Sequence, residues 1–245
     1  MKIVKAVIFD MDGTILNTAE DLTASVNYAM AQCGHRHDFT GSDGRRMFGS
    51  GAHTALQRAL AMEAGEQDDA ALRRIGTPDM MTVPGVDEEE VSRIEAVFRP
   101  HYLVHSMDRT GPYEGIMDLL RSLRRMGIRT AVVSNKPDPA VKKLAADCFD
   151  GLFDAAMGEQ PGIRRKPAPD MTEAALCSLG VRSEDAIYLG DTEIDVAAAA
   201  SAQMECVCVS WGFRPRAFLE GLRPLAIIDR PQDLLQVPGL TFSAH

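Results

Sequence analysis

Residues 3–14 read IVKAVIFDMDGT, and within them the apolar run Ile3–Phe9 stops abruptly at Asp10. A short run that is apolar at every second position on both faces predicts a central strand covered on both sides, as in a parallel sheet. Comparable runs recur at Ile128–Ser134 (IRTAVVS), Ala186–Leu189 (AIYL) and Cys206–Ser210 (CVCVS), with a weaker one at Leu225–Ile228. Helical patterns separate them, near 114–126, 138–147, 168–179 and 192–202. Strands alternating with helices predict an α/β architecture, a parallel sheet with helices on both faces.

Residues from about 18 to 107 break this rhythm. The stretches 19–33, 42–64, 66–76 and 87–106 read as helices, punctuated by Gly34, Gly41 and Gly65, with no convincing strand between them. The expected organisation is a catalytic core of residues 1–16 and 109–245 and an inserted helical, lid-like cap of residues 17–108. Hinges are expected near Leu16–Thr18 and Asp108–Pro112.

Composition narrows the function classes. The 245 residues are 45% hydrophobic and 25% charged, ordinary for a soluble globular protein. A formal net charge of −9 without a long Lys/Arg block argues against a nucleic-acid or acidic-membrane partner. A small anionic metabolite remains compatible, since local cations and a metal outweigh global charge. Cys33, Cys148, Cys177, Cys206 and Cys208 are odd in number and scattered, so no disulfide framework is expected. Cys206 and Cys208 alternate onto one strand face and read as core thiols. The N-terminal apolar run is too short for a signal peptide or membrane span. A monomer or homodimer in a reducing cytoplasm is the expected setting.

Four polar segments follow strands or lie near strand ends, where open parallel sheets bind ligands. In Asp10-Met11-Asp12-Gly13-Thr14, an extended backbone puts Asp10 and Asp12 on the same side. Two carboxylates so close resist joint ionisation unless a cation or a proton relieves them. With a divalent metal, Asp10 suits a nucleophile and Asp12 a general acid and base. Gly13 permits a tight turn whose following amides, at Thr14 and beyond, suit phosphate oxygens. The plain alternative is a strand ending in a turn. Ser134 and Asn135 offer a hydroxyl and amides to phosphate, or alternatively a helix cap. Lys166, between Arg165 and Pro167, suits charge neutralisation of a transferring phosphoryl group, or is an ordinary solvated lysine. In Gly190-Asp191-Thr192-Glu193-Ile194-Asp195, Asp191 is the better direct Mg2+ ligand and Asp195 the better water-mediated one. Glu193 is expected to face solvent; the alternative for the segment is an acidic helix start. Trp211 reads as packing at a sheet end, with the rim of the site as the alternative.

These four segments, in this order, resemble the haloacid dehalogenase-like superfamily of aspartate-nucleophile hydrolases over nearly the whole chain. The resemblance implies a Rossmann-like core, a helical cap inserted after the first segment, and Mg2+. It implies a metal held by an Asp10 side-chain oxygen, the Asp12 backbone carbonyl and Asp191. An acid at position 12 separates the chain from dehalogenases, which lack it, and from phosphonate-cleaving relatives, which have a small residue there. Phe48-Gly49-Ser50-Gly51-Ala52, Pro112-Tyr113-Glu114-Gly115 and Ser134-Asn135-Lys136-Pro137 resemble phosphoglycolate phosphatases. Arg46, Ser50, Gly51 and Ala52 are therefore the expected cap contacts to substrate. Asn17-Thr18 departs from the Asp-Ser usual in that subfamily, and Met11 is also seen in mutase-like relatives. The implied function is a Mg2+-dependent phosphatase of a small phosphate monoester, 2-phosphoglycolate first, acting through an aspartyl-phosphate. The alternatives are a β-phosphoglucomutase-like sugar phosphomutase and a non-catalytic phosphate-binding or interaction module.

Overall fold

The apolar run that opens the chain forms two strands rather than one, broken at Lys5, whose main chain bonds to Asp185 and Arg129. In the computed structural model, which describes residues 1–77, 80, 83 and 85–243, β1 is Lys2–Val4 and β2 is Ala6–Phe9. Along the chain follow β3 (Leu16–Asn17) and five helices: α1 (Ala19–Gln32), α2 (Gly41–Met47), α3 (Ala52–Glu63), α4 (Asp69–Arg74) and α5 (Glu88–His105). The chain continues through β4 (Gly111–Pro112), α6 (Ile116–Arg125), β5 (Arg129–Pro137), α7 (Asp138–Phe149), β6 (Ala155–Glu159) and α8 (Asp170–Leu179). It ends with β7 (Ala186–Gly190), α9 (Glu193–Ser201), β8 (Glu205–Val209), α10 (Arg216–Gly221), β9 (Ala226–Ile228) and β10 (Leu240–Phe242). The chain divides into two compact units, Met1–Asn17 with Gly111–His245, and Thr18–Thr110.

The first unit is built on a six-stranded parallel sheet of order β6-β5-β2-β7-β8-β9, with β2 between β5 and β7. Alternation along each strand feeds two cores. Val7, Phe9, Val132, Ile187, Leu189, Val207 and Val209 point to one face, packed with Leu119, Leu123 and Leu144 of α6 and α7. Ala6, Ile8, Ala131, Val133, Tyr188, Cys206 and Cys208 point to the other, with Met171 and Ala175 of α8 and Ala199 of α9. Each large apolar side chain buried this way contributes roughly 1.5–3 kcal/mol. Cys206 and Cys208 lie buried as free thiols in the second core. β6 extends the sheet on one edge. Its sequence, AAMGE, carries no β-branched residue, so no strand signal marks it. β1 pairs in parallel with β10 as a separate two-stranded sheet. β3 and β4 pair antiparallel, so the chain leaves and rejoins this unit through one ribbon.

The second unit is helical throughout its described residues. The expected helix 42–64 is two helices, because Gly49 (φ 114°) and Gly51 (φ 94°) take conformations that L side chains rarely adopt. Thr40 and Asp43 close a capping box at the start of α2. Buried Asp21 of α1 ties down the end of the insert: its Oδ2 accepts from Arg109 N–H (3.0 Å), Thr110 N–H (2.9 Å) and the Thr110 hydroxyl (2.8 Å). No described helix is long and apolar enough to cross a membrane.

Candidate active site

β2 delivers Asp10 to the carboxyl end of the sheet, and the Asp10 N–H donates to the Leu189 carbonyl of β7 at 2.9 Å. β5 delivers Ser134, β7 delivers Asp191, and the loop before α8 supplies Lys166. Lys166 is buried at 4% exposure, and its Nζ donates to Asp10 Oδ1 at 2.6 Å, Asp195 Oδ1 at 2.8 Å and the Tyr188 hydroxyl at 3.2 Å. An ammonium group thus joins three different segments. Burial works against its charge, yet the carboxylates of Asp10 and Asp195 hold its pKa well above the ordinary lysine range.

The carboxylates crowd one another. Burial pushes the Asp10 carboxyl up to about 7; Lys166 pulls it down, while Asp195 and Asp12 push it further up. Burial, then the charges of Asp195 and Asp10, also drives Asp191 well above the usual carboxylate range. Asp10, Asp191 and Asp195 each offer an oxygen within 4.8 Å of the others, so this donor set could hold a metal ion. Clustered, buried carboxylate oxygens are hard donors that suit a divalent cation of the Mg2+ type. The hydrogen bonds separate the three. Asp195 Oδ2 accepts from the N–H groups of Asp191 (3.2 Å) and Thr192 (3.0 Å) and from the Thr192 hydroxyl (2.7 Å), while Oδ1 takes Lys166. Asp195 is therefore committed to bracing the turn, whereas Asp191 accepts one bond on each oxygen, from the Thr14 hydroxyl (2.9 Å) and Phe213 N–H (2.7 Å).

Asp12 lies on the Asp10 side, as alternation predicts. Its buried Oδ1 is held by the charge of Lys136 at 3.0 Å, without a directed hydrogen bond. Ser134 is buried, and its Oγ accepts from Lys136 N–H at 3.3 Å. Gly13 and Thr14, expected at the phosphate, have polar groups engaged inside the protein. The Gly13 N–H donates to Leu16 O at 2.9 Å. A Cβ on Gly13 would stand 2.3 Å from Asp191 Oδ2, so glycine is what lets that carboxylate approach. The Asn135 side chain is engaged within the protein. Its Nδ2 donates to the Lys166 carbonyl at 3.0 Å and its Oδ1 accepts the Lys166 N–H at 2.9 Å, bracketing the lysine's main chain.

The residues expected as cap contacts lie in the helical unit. Arg46 is tied to Asp69 (Nε to Oδ1, 2.6 Å) and the Gln67 carbonyl (2.7 Å), so its guanidinium is already engaged. Ser50 Oγ accepts from buried Arg58 at 3.1 Å, Gly51 caps α3, and Ala52 is its first residue. His35 bridges Glu63 and Glu90, and His101 stacks on Tyr28 and His105; neither converges with other ligands on a metal position among the described residues.

Three site residues went unassigned by the sequence reading. Lys136 Nζ lies 3.0 Å from Asp12 Oδ1, brought there by the end of β5 where its pairing with β6 turns irregular, a feature that no local pattern announces. Tyr188 contributes its hydroxyl from within a strand that reads as purely apolar. Arg214, 2% exposed, pairs through Nε and Nη2 with both oxygens of Glu193 at 2.7 and 2.8 Å, which also removes Glu193 from the solvent-facing role expected for it.

Comparison with known proteins agrees with this arrangement. The family model described as haloacid dehalogenase-like hydrolase matches residues 7–209. A phosphoglycolate phosphatase of Rhodospirillum rubrum is 33% identical over 232 residues, 92% of this chain and 87% of the relative. Phosphoglycolate phosphatase 1 of Pseudomonas aeruginosa is 31% identical over 232 residues, 94% of this chain and 78% of the relative. A crystal structure from Lactobacillus delbrueckii subsp. bulgaricus, provisionally named a phosphoglycolate phosphatase, superposes with a TM-score of 0.93 at 48% identity, covering 98% of this chain and 100% of that one. With a family match that runs from β2 to the end of β8, the chain belongs to the haloacid dehalogenase-like hydrolases, and within them it is phosphoglycolate-phosphatase-like.

Proposed function

We propose that this hydrolase is a Mg2+-dependent phosphatase that cleaves a small phosphate monoester through an aspartyl-phosphate on Asp10. The observation that carries the reading is the buried Lys166 ammonium, 2.6 Å from Asp10 Oδ1, beside a second acid at Asp12. Asp10, the Asp12 carbonyl and Asp191 would hold the ion. Bound there, Mg2+ supplies positive charge that offsets the carboxylates and the phosphate oxygens.

The chain's own groups then do the following. Lys166 draws charge from Asp10 and from the phosphoryl group, and the Ser134 hydroxyl, already accepting from Lys136 N–H, donates to a phosphate oxygen. Asp10 attacks phosphorus in line; a Cγ–O–P bond forms as the ester P–O bond breaks. Asp12, held beside Lys136, gives its proton to the departing oxygen. It then takes a proton from the water that attacks the aspartyl-phosphate, releasing inorganic phosphate and restoring Asp10. Asn135 keeps Lys166 in place, and Thr14 keeps Asp191 in place. The names of the Rhodospirillum and Pseudomonas relatives support 2-phosphoglycolate as the substrate. The five free cysteines fit a reducing cytoplasm as its setting.

The test is phosphate release from 2-phosphoglycolate, several sugar phosphates and pyrophosphate, with Mg2+ or EDTA, for wild type and Asp10→Asn. We expect Mg2+-dependent release, the highest kcat/KM for 2-phosphoglycolate, and no turnover by the variant. Near-normal turnover by Asp10→Asn would remove Asp10 as nucleophile, and full activity in EDTA would remove the metal. An accumulating isomer in place of phosphate would make the protein a mutase. A faster ester would displace phosphoglycolate and leave the phosphatase intact.

A further inference from the structure

Residues 211–214, Trp-Gly-Phe-Arg, follow β8 and belong to none of the four catalytic segments, yet they contact two of them directly. The Phe213 N–H donates to Asp191 Oδ2 at 2.7 Å. The Trp211 Nε1–H donates to the Thr14 carbonyl at 3.0 Å, and the Thr14 hydroxyl in turn donates to Asp191 Oδ1 at 2.9 Å. Arg214 grips both oxygens of Glu193, in the first turn of the helix that carries Asp195. Between these contacts sits Gly212. A Cβ there would lie 2.3 Å from Asp191 Cβ and 2.4 Å from its Oδ2. Such distances admit no methyl group, so the loop backbone is pressed directly against the carboxylate.

We propose that the 211–214 loop is a positioning strap that sets the orientation of the Asp191 carboxylate and thereby the affinity of the site for its divalent cation. One oxygen is fixed by the loop's own amide and the other by Thr14, which the loop holds through Trp211. Arg214 anchors the far end of the strap to α9, so the strap and the Asp191 turn move as one piece. These two bonds fix the plane of the Asp191 carboxylate. Groups that orient a metal ligand in this way typically change metal affinity by about 10–100-fold when removed. The inference rests on Asp191 being a metal ligand, as proposed above.

The test measures Mg2+ binding to the phosphate-free protein by calorimetry, for wild type, Gly212→Ala, Trp211→Phe, Arg214→Gln, Arg214→Lys and Asp191→Asn. Melting temperatures in EDTA are taken in parallel. We expect Gly212→Ala to weaken Mg2+ by about 10–100-fold and Arg214→Gln by about tenfold, with Arg214→Lys recovering part of the loss. Trp211→Phe, which keeps an aromatic ring but removes the N–H and part of the indole packed near Tyr113, should weaken binding several-fold, with the EDTA melting temperature reporting the packing it loses. The kcat deficit of these variants should shrink as Mg2+ is raised. If Gly212→Ala does not fold, Trp211→Phe and Arg214→Gln carry the measurement. Variants that melt lower in EDTA but bind Mg2+ like wild type would reduce the loop to a packing element and overturn the proposal. Wild-type Mg2+ affinity in Asp191→Asn would instead defeat the parent reading of Asp191, a result separable from the first.

Discussion

Replacing Asp10 with Asn should stabilise the metal-free protein while abolishing turnover, and the gain should depend on pH. The Asp10 carboxyl is pushed from its ordinary 3.8 up to about 7 by burial and by its carboxylate neighbours. With the folded value above the unfolded one, the stability that Asp10 contributes is complete below about pH 4 and is lost as pH rises through about 7. At pH 8, a gap of roughly three pH units at about 1.4 kcal/mol each amounts to about 4 kcal/mol held against the folded state. Asn keeps the shape and an acceptor for Lys166 but removes its negative charge, leaving Asp195 as the ionic partner at 2.8 Å. The pull of Lys166 on Asp10 is already contained in the raised value, so the neutral Asn should recover most of it, about 4 kcal/mol, or about 8–16 °C in Tm for a chain of this size. Thermal melts in EDTA at pH 5 and pH 8 measure it: the variant's advantage should widen from the lower pH to the higher. Removing the Asp10 charge also relieves Asp191, whose carboxyl that charge helps to raise, and this relief adds to the variant's advantage. Added Mg2+ should raise wild type more than the variant at pH 8. A variant that melts at or below wild type at pH 8, or an advantage that does not grow with pH, would refute the burial and crowding of Asp10 as a cost to the folded state.

Asn135→Ala should lower kcat/KM by about 10–100-fold, because loss of the bracket at 3.0 and 2.9 Å lets Lys166 drift from Asp10; steady-state kinetics checks this, and Asn135→Asp, which lacks the donor, should not rescue it. Asp21→Ala should destabilise the helical unit by about 2–3 kcal/mol, since it strands the N–H groups of Arg109 and Thr110; faster amide exchange at those residues, with exchange in β2 unchanged, is the expected signature.

The central sheet was legible because its strands are apolar on both faces and end in polar residues, as Phe9 gives way to Asp10 and Leu189 to Gly190-Asp191. β6 was not, because Ala155–Glu159 becomes a strand through pairing with β5 rather than by propensity. The break between α2 and α3 was carried by Gly49 and Gly51, which in sequence stand out as part of the segment resembling phosphoglycolate phosphatases rather than as a helix end. In the site, the charged members of the constellation were readable by chemical type. What those types do not reveal is which polar atoms are already spent. Asn135 and Thr14 are chemically able to hold phosphate, yet their hydrogen bonds go to Lys166 and Asp191. Such assignments depend on contacts across 31 and 177 residues of sequence, beyond the reach of any local pattern. Arg214 illustrates the same limit: nothing around it in sequence marks a buried guanidinium.

The charges explain why the site is built with so many acids. Among the described residues, Lys136 pairs with Asp12 and Lys166 with Asp10 and Asp195, so the four carboxylates of Asp10, Asp12, Asp191 and Asp195 less these two ammonium groups leave an excess of two negative charges when all are ionised. Arg214 does not alter the sum, since Glu193 neutralises it. A cavity with that excess turns away a phosphate dianion. It also draws in protons: the raised values of Asp10 and Asp191 come first from burial and then from the neighbouring carboxylate charges. Two units of positive charge cancel the excess, and a divalent ion does so without protonating the nucleophile. Protons and the cation therefore compete for one deficit, and only the cation leaves Asp10 ionised to attack. Lys166 alone could not serve, because a second lysine at the same point would compete for Asp10 rather than for phosphate. The acid excess is thus what makes the site accept an anionic ester only when the counter-charge that activates it is present.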